Sequence, residues 1–346
     1  GQSTRKNLEQ IALQSFTIVS KTSEITEHNR QLYEAILHSC LISYMTGKSR
    51  RGNSGEIHVC VNSNYSINKS YELGSGRTGL SLEPEIYANS EQLAYFVSYG
   101  GLKIRPDIVR SARMAIPGDW RYKVEEHSVT TSFSYRRLHG EFNTYHSKNQ
   151  SKSRRSFYRE LCSQYKETTI FFLSSPEEVE GNILAEHNIF LPVNNKYGFT
   201  DQNSALSFFQ ACARACPDHL FILRIHPRML SNSRSPGVSP YYEAIKQNNS
   251  IRCIHNLHLS DELDITSYDL AELAGNRLIS WSTMACELPA MGLSCIVLFP
   301  EFCQYPIEEL LEQPGSVNEL FEYITLGGPK IIVDQKRVSR MLQYLF

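Results

Sequence analysis

"LISWSTMACELPAMGLSCIVLFP" (278–300) decides the architecture of this chain. An apolar pair, Leu278–Ile279, runs into three hydroxyls, Ser280, Ser282 and Thr283. An amphipathic stretch carrying Glu287 follows and stops at Gly292; a second apolar run covers Cys295–Phe299. The hydroxyls before the amphipathic stretch and the glycine after it are helix start and stop signals. The short apolar runs on either side have strand length. The segment therefore reads as one strand–helix–strand unit: "RLISWS" strand, "TMACELPAMG" helix, "SCIVLFP" strand.

The same alternation extends toward the N-terminus. "TTIFFLSS" (168–175), "HLFILRIHP" (219–227) and "SIRCIH" (250–255) predict buried strands. "FYRELCSQY" (157–165), "SALSFFQACARAC" (204–216) and "SYDLAELA" (267–274) predict helices between them. Strands that alternate with helices predict an α/β fold, a parallel sheet with helices on both faces. Ligands of such sheets sit at the carboxyl ends of the strands. Three polar clusters fall at those ends. They are Ser174 and Ser175 with Pro176, Glu177 and Glu178; Arg224, His226, Pro227 and Arg228; and Ser280, Ser282 and Thr283 with Glu287.

Each cluster has a chemical reading and a plainer one. Hydroxyls and unpaired N–H groups at a helix start attract anions, phosphate above all. Glu287, about one turn further on, is suited to ribose hydroxyls beside that phosphate. The alternative is that Ser282 or Thr283 is only an N-cap and Glu287 a surface acid. Pro227 restricts the backbone of His226, so its ring can be aimed at a phosphate or a base. The alternative is a histidine that caps its own strand. The flanking Arg224 and Arg228 favour anion binding.

The N-terminal part is different. Residues 5–47 predict helix, with Leu8, Ile11, Ala12, Phe16 and Val19, then Leu32, Ile36, Leu37 and Leu41, at helical spacing. "EIHVCVNSNY" (56–65) alternates like a strand. "YELGSGRTGLS" (71–81) lacks the spacing of a phosphate-binding P-loop and reads as a substrate-facing or flexible loop. A helix and a mixed segment are expected over 89–116, and a polar connection over 127–155. The basic stretch Lys148–Arg155 either meets an anionic lipid or acceptor or is a solvated linker. A domain boundary is expected there, between an N-terminal domain of residues 1–155 and a C-terminal α/β domain of residues 156–346.

Composition excludes several classes. The 346 residues carry a net charge of -1, so nothing argues for a nucleic-acid partner. With 41% hydrophobic residues the chain can build two cores. Its nine cysteines include no C-x-x-C, and several lie in apolar runs, as in reduced, buried thiols of a cytoplasmic protein. Cys212 and Cys216 share a helix face without the paired histidines of a metal site. No apolar run reaches the roughly 18 residues of a membrane span, and no signal peptide is visible. Peripheral association with the inner face of a membrane is compatible with this. The chain opens Gly-Gln-Ser without Met, as where the true N-terminus is missing or processed.

Taken together, "IFFLSSPEE", "LFILRIHPR" and "LAELAGNRLISWSTMACELPAMGLSCIVL" resemble the C-terminal half of bacterial capsule and surface polysaccharide biosynthesis proteins. Those are GT-B type glycosyltransferases, similar to the sialyl- and Kdo-transferase groups that carry a His-Pro motif and a Ser motif. The resemblance covers residues 168–305 and extends to "IHVCVNSNYSINKSYELG". It implies two Rossmann-like domains facing a cleft, with a UDP-, GDP- or CMP-linked sugar on the C-terminal one and a glycan or lipid-linked acceptor on the other. By position, His226–Pro227 contacts phosphate or ribose, Ser282 and Thr283 phosphate, Glu287 ribose, and Ser174 and Ser175 the base or the cleft floor. The helical start departs from the pattern: either the first βα units are missing or the N-terminal domain is modified. Glu72 in "YELGSG" is the candidate catalytic base, ahead of Glu85, Asp107 and Asp119. No Asp-x-Asp arrangement occurs, which points to transfer without a metal or other cofactor. Two other classes stay open: a nucleotide-sugar epimerase or hydrolase of the same architecture, and a non-catalytic nucleotide- or glycan-binding protein.

Overall fold

The computed structural model describes residues 2–49, 59–61, 70, 73–74, 80–82, 152–177, 195–231, 237–282, 284–300, 311–326, 333–334 and 338. The chain divides into two compact units. One comprises Gly1–Ile116, Pro176–Leu191 and Leu345–Phe346; the other comprises Pro117–Ser175 and Pro192–Tyr344.

The first unit opens with two helices, α1 (Gln2–Ser20) and α2 (Arg30–Ser49), which pack on each other. Leu8, Ala12 and Cys40 form the buried centre, with Ile11, Tyr33, Ile36, Leu37, Tyr44 and Leu73 around it. The helices were expected; the rotation of α2 was not. Its buried stripe runs Tyr33, Ile36, Leu37, Cys40, Tyr44, while Leu32 and Leu41 are exposed. Several apolar stripes coexist on α2, and only contact with α1 selects among them. A short parallel pair follows, β1 (Val59–Val61) and β2 (Leu80–Leu82), with Val59 opposite Leu80.

The glycine-rich stretch 71–81 is partly structural. Leu73 and Gly74 are helical, and Gly74 lies against the backbone of α2. A Cβ at Gly74 would stand 2.1 Å from the Tyr44 carbonyl oxygen and 2.9 Å from the Lys48 nitrogen. The neighbour is backbone and cannot swing away. Gly74→Val is therefore expected to destabilise the first unit by about 1–3 kcal/mol through overpacking. Urea denaturation followed by circular dichroism reads this; an unchanged midpoint would show that the contact yields freely.

The second unit is the predicted α/β layer structure. Helix α3 (Lys152–Ser163) leads into β3 (Glu167–Phe172), followed by α4 (Gln202–Ala215) and β4 (His219–Arg224). Then come α5 (Pro240–Gln247), α6 (Asn249–Arg252), β5 (Leu257–Ser260), α7 (Ser267–Leu273), β6 (Asn276–Ile279), α8 (Met284–Ala290), β7 (Ile296–Val297) and α9 (Val317–Leu326). The sequence boundary at 155/156 falls within α3. All five strands pair in parallel, in the order β5-β4-β3-β6-β7. Counted along the chain this is third, second, first, fourth, fifth, the order of a dinucleotide-binding sheet. Connections leave β3 toward one edge and return to the other side of it at β6. The order therefore reverses between β3 and β6.

Strand burial follows position in the sheet. Every residue of β4 is buried, and all of β3 after Glu167. β5, at an edge, is mostly half-buried. Here the sequence reading needs correction: "SIRCIH" is not a strand. Asn248 accepts the Ser250 N–H at 2.8 Å and caps the short helix α6, and the strand is the next segment, "LHLS". β5 is half-buried and so lacks the continuous apolar run that identifies the buried strands. The glycine stop of α8 is as predicted. Gly292 has φ 79°, its N–H donates to Pro289 O at 2.9 Å, and the Leu293 N–H donates to Leu288 O at 2.9 Å. Those two bonds satisfy the last carbonyls of the helix.

Arg277, on β6, closes the end of α7. Its guanidinium donates to the carbonyls of Ala271 (2.6 Å), Ala274 (2.5 Å), Gly275 (3.3 Å) and Ser294 (3.2 Å). Among the described residues the cysteines are free, and Cys253 departs from the buried pattern by being exposed. No helix among them is long and apolar enough to cross a membrane.

Candidate functional site at the strand carboxyl ends

The topology brings the three polar clusters to the same edge of one sheet. The loops after β3 and β6 lie side by side, because those strands are hydrogen-bonded neighbours with Phe172 opposite Ile279. Ser174 joins the two loops. Its hydroxyl donates to the Trp281 carbonyl and accepts the Trp281 N–H at 3.2 Å. Its own backbone is held by the carboxamide of Gln202, at the start of α4: the Ser174 N–H donates to Oε1 at 2.9 Å, and Nε2 donates to the Ser174 carbonyl at 3.0 Å. Ser174 is thus a rivet at the point where strand order reverses. Ser175, beside it, is buried as well.

Ser280 is fully buried, and its Oγ makes no hydrogen bond among the described residues. Ser282 takes the capping position of α8: its Oγ accepts the Met284 N–H at 3.3 Å and its carbonyl accepts the Ala285 N–H at 3.1 Å. Thr283 and Glu72, like Glu85, Asp107 and Asp119, lie outside the described residues. Glu287 is not a surface acid. It is 4% exposed, and its Oε2 accepts the Tyr268 hydroxyl at 2.6 Å, tying α8 to α7.

The His226 cluster divides in two. Arg224, the last residue of β4, is 1% exposed and turns its guanidinium onto the loop that follows β5. It donates to Ser260 Oγ at 3.0 Å and to the carbonyls of Glu262 at 2.9 Å and Ile265 at 2.8 Å. Burial draws it below the usual guanidinium range, with neighbouring Tyr158 and Glu262 opposing. Arg224 and His226 are therefore not a paired anion clamp. His226, Pro227 and Arg228 instead form a tight turn opening a 3₁₀ helix over Pro227–Met229. His226 Nδ1 accepts the Arg228 backbone N–H at 3.1 Å. A neutral ring that accepts at Nδ1 carries its proton on Nε2. The capping alternative and a defined donor nitrogen thus come from one arrangement. His226 and Arg228 are half-buried, Pro227 buried.

A second polar network at this edge was not foreseen. Glu262 Oε2 accepts from the hydroxyls of Tyr158 (2.8 Å) and Ser260 (3.1 Å). The Tyr158 hydroxyl also meets His258 Nε2 at 3.2 Å. Tyr242 donates to Asp261 Oδ2 at 2.5 Å. Burial chiefly pushes the Tyr158 and Tyr242 hydroxyls up, so both stay protonated donors, and it pushes the His258 ring down toward neutrality. The acidic run "SDELD" (260–264) was the available signal. Its partners Tyr242, Arg224 and Tyr158 are 19 to 104 positions away in sequence, and no local spacing reveals them.

Among the described residues no group of three or more His, Cys, Asp or Glu side chains is placed to hold a metal ion. A shallow hollow of about 530 Å³ lies away from these loops, lined by Arg214, Asn249, Ser250, Cys253, Ile254, His255 and Asn256 at the amino end of β5.

No family model matches the chain, and no curated protein matches it. Among solved structures it is similar to the UDP-GlcNAc 2-epimerase of Methanocaldococcus jannaschii, crystallised in complex with UDP-GlcNAc and UDP. The identity is 11% and the TM-score 0.42, over 89% of this chain and 80% of that one.

Proposed function

We propose that this chain is a glycosyltransferase that moves a sugar from a nucleotide-sugar donor to a glycan or glycolipid acceptor in bacterial capsule or surface polysaccharide synthesis. One observation carries the reading. The loops after β3, β4 and β6 put His226, Arg228, Ser175 and Ser282 on the carboxyl edge of a sheet whose strand order reverses between β3 and β6. In open α/β sheets that crevice is where nucleotides bind. The motif resemblance of residues 168–305 supplies the reaction class.

The proposed roles take account of what each described side chain touches. His226 offers Nε2–H to a phosphate oxygen, and Arg228 adds charge. Ser282, and Thr283 after it, supply hydroxyls for the phosphate. Ser174, Arg224 and Glu287 are committed to Trp281, to the 261–265 loop and to Tyr268, so they act by positioning those loops. Fixed donors aimed at the departing phosphate stabilise the charge that develops on it. In this reading transfer needs no metal, and Glu72 is the base that deprotonates the acceptor.

A thermal-shift panel of UDP, GDP, CMP and their sugars tests the donor, since a ligand bound only by the native state raises the melting temperature. The decisive variant is His226→Asn. Its side-chain oxygen can still accept the Arg228 N–H, so the turn and the melting temperature should survive. The Nε2–H is lost, and one charge-assisted hydrogen bond of about 1.5–3 kcal/mol goes with it. Nucleotide affinity should fall by about tenfold or more. Unchanged affinity would leave His226 with only its capping role. Incubating the sugars with and without a glycan acceptor then separates the classes. Turnover only with acceptor supports transfer, turnover without it an epimerase or hydrolase, and binding without turnover a non-catalytic protein.

A further inference from the structure

Helix α3 is attached to the sheet unit differently from the other long helix. α4 buries seven side chains, Phe209 and Leu206 among them. α3 buries one, Tyr158, and leaves Phe157 43% exposed. Besides Tyr158, charge holds it. Arg154 reaches Glu262 at 3.5 Å and Asp264 at 3.4 Å; Arg155 reaches Asp269 at 3.0 Å and Glu272 at 2.5 Å. Both arginine side chains are about two-fifths exposed, at 38% and 41%. The basic residues read in sequence as facing a lipid or a solvated linker thus meet four carboxylates of their own chain, from the loop after β5 and from α7.

We propose that α3 is an electrostatically latched strap, which detaches from the sheet unit when ionic strength rises while the sheet itself stays folded. Three features support this. Ion pairs whose charged groups reach solvent, here Arg154 with Asp264 and Arg155 with Glu272, are screened by salt, whereas the apolar contacts that hold β3 and β4 are not. The acids are crowded: Asp261, Glu262, Asp264, Asp269 and Glu272 line one rim, so α3 supplies countercharge that the rim needs, and that countercharge is what salt replaces. The strap also connects to the loop carrying Glu262. Tyr158 and Arg154 grip Glu262 from the α3 side, and Arg224 grips its carbonyl from β4, the strand that leads into His226. Lifting α3 leaves Arg224 and Tyr242 as anchors of that loop. The device therefore transmits ionic conditions to the rim beside the His226 turn. Its segment is a separable unit of low local stability, of the kind that opens without global unfolding.

Hydrogen exchange of the full chain tests the strap directly. Between about 0.05 M and about 1 M NaCl, where the screening length falls severalfold, amides of α3 and of residues 261–265 should exchange about tenfold faster, and those of β3, β4, β5 and β6 should not change. Arg154→Gln with Arg155→Gln should show the fast α3 exchange already at low salt and lose the salt response. Salt-independent exchange of α3 in the wild-type chain would overturn the proposal. So would acceleration of β3 and β4 in step with α3, which would mean global rather than local opening. The wild-type titration decides the matter even if the double variant fails to fold.

Discussion

Arg224→Met should cost the sheet unit about 3–5 kcal/mol, the range for removing one partner of a buried charged cluster. Its guanidinium makes three hydrogen bonds in a site that water does not reach: Ser260 Oγ, Glu262 O and Ile265 O. Methionine fills part of the volume but donates nothing. Two carbonyls and a hydroxyl are then left in the interior, and Glu262 loses a nearby positive charge, 4.0 Å away in the native arrangement. At about 2–4 °C per kcal/mol for a unit of this size, the melting temperature should fall by on the order of ten degrees. Arg224→Lys should recover little, because a single ammonium cannot span acceptors set apart in a fork. The measurement is urea denaturation with nucleotide affinity determined on the folded fraction. A small stability loss combined with a large affinity loss would reverse the assignment and return Arg224 to direct anion binding.

Glu72→Ala should lower sugar transfer by about 10²–10⁴-fold, the usual contribution of a general base, and leave nucleotide binding intact. The argument is by commitment of the other acids. At the carboxyl edge of the sheet, Glu262 accepts two hydroxyls and pairs with Arg154, Asp261 accepts Tyr242, and Glu287 accepts Tyr268 in a buried position. Each of these already has a partner, so the proposed reaction assigns its base to another segment of the chain. Glu72 itself lies outside the described residues; its neighbours Leu73 and Gly74 pack on α1 and α2. Circular dichroism of the variant controls for folding. Near-normal transfer would remove Glu72 from the mechanism and favour a retaining reaction, or a base in another segment.

The sequence by itself determined the α/β class and most of the second unit's elements. Central strands such as "TTIFF" and "HLFIL" are continuous apolar runs because both faces are covered. Helix α4 is amphipathic and capped by Asp201, and α8 stops at a glycine whose φ is positive. These signals are local, set by the residue and its near neighbours. The placement of Ser174, Ser282 and His226 at strand ends was legible for the same reason. Three things were decided only by tertiary structure. The edge strand β5 was misplaced onto "SIRCIH", because its own residues are half-buried and show no apolar run. The rotation of α2 was set by which stripe fits α1. Arg224 and Glu287, read from sequence as an anion ligand and a ribose ligand, are buried and hold the 261–265 loop and Tyr268. A charged side chain written next to a histidine looks the same whether it faces a ligand or its own core. The difference lies in hydrogen-bond acceptors 36 to 41 residues away, which come within reach only when β4 and β5 pair.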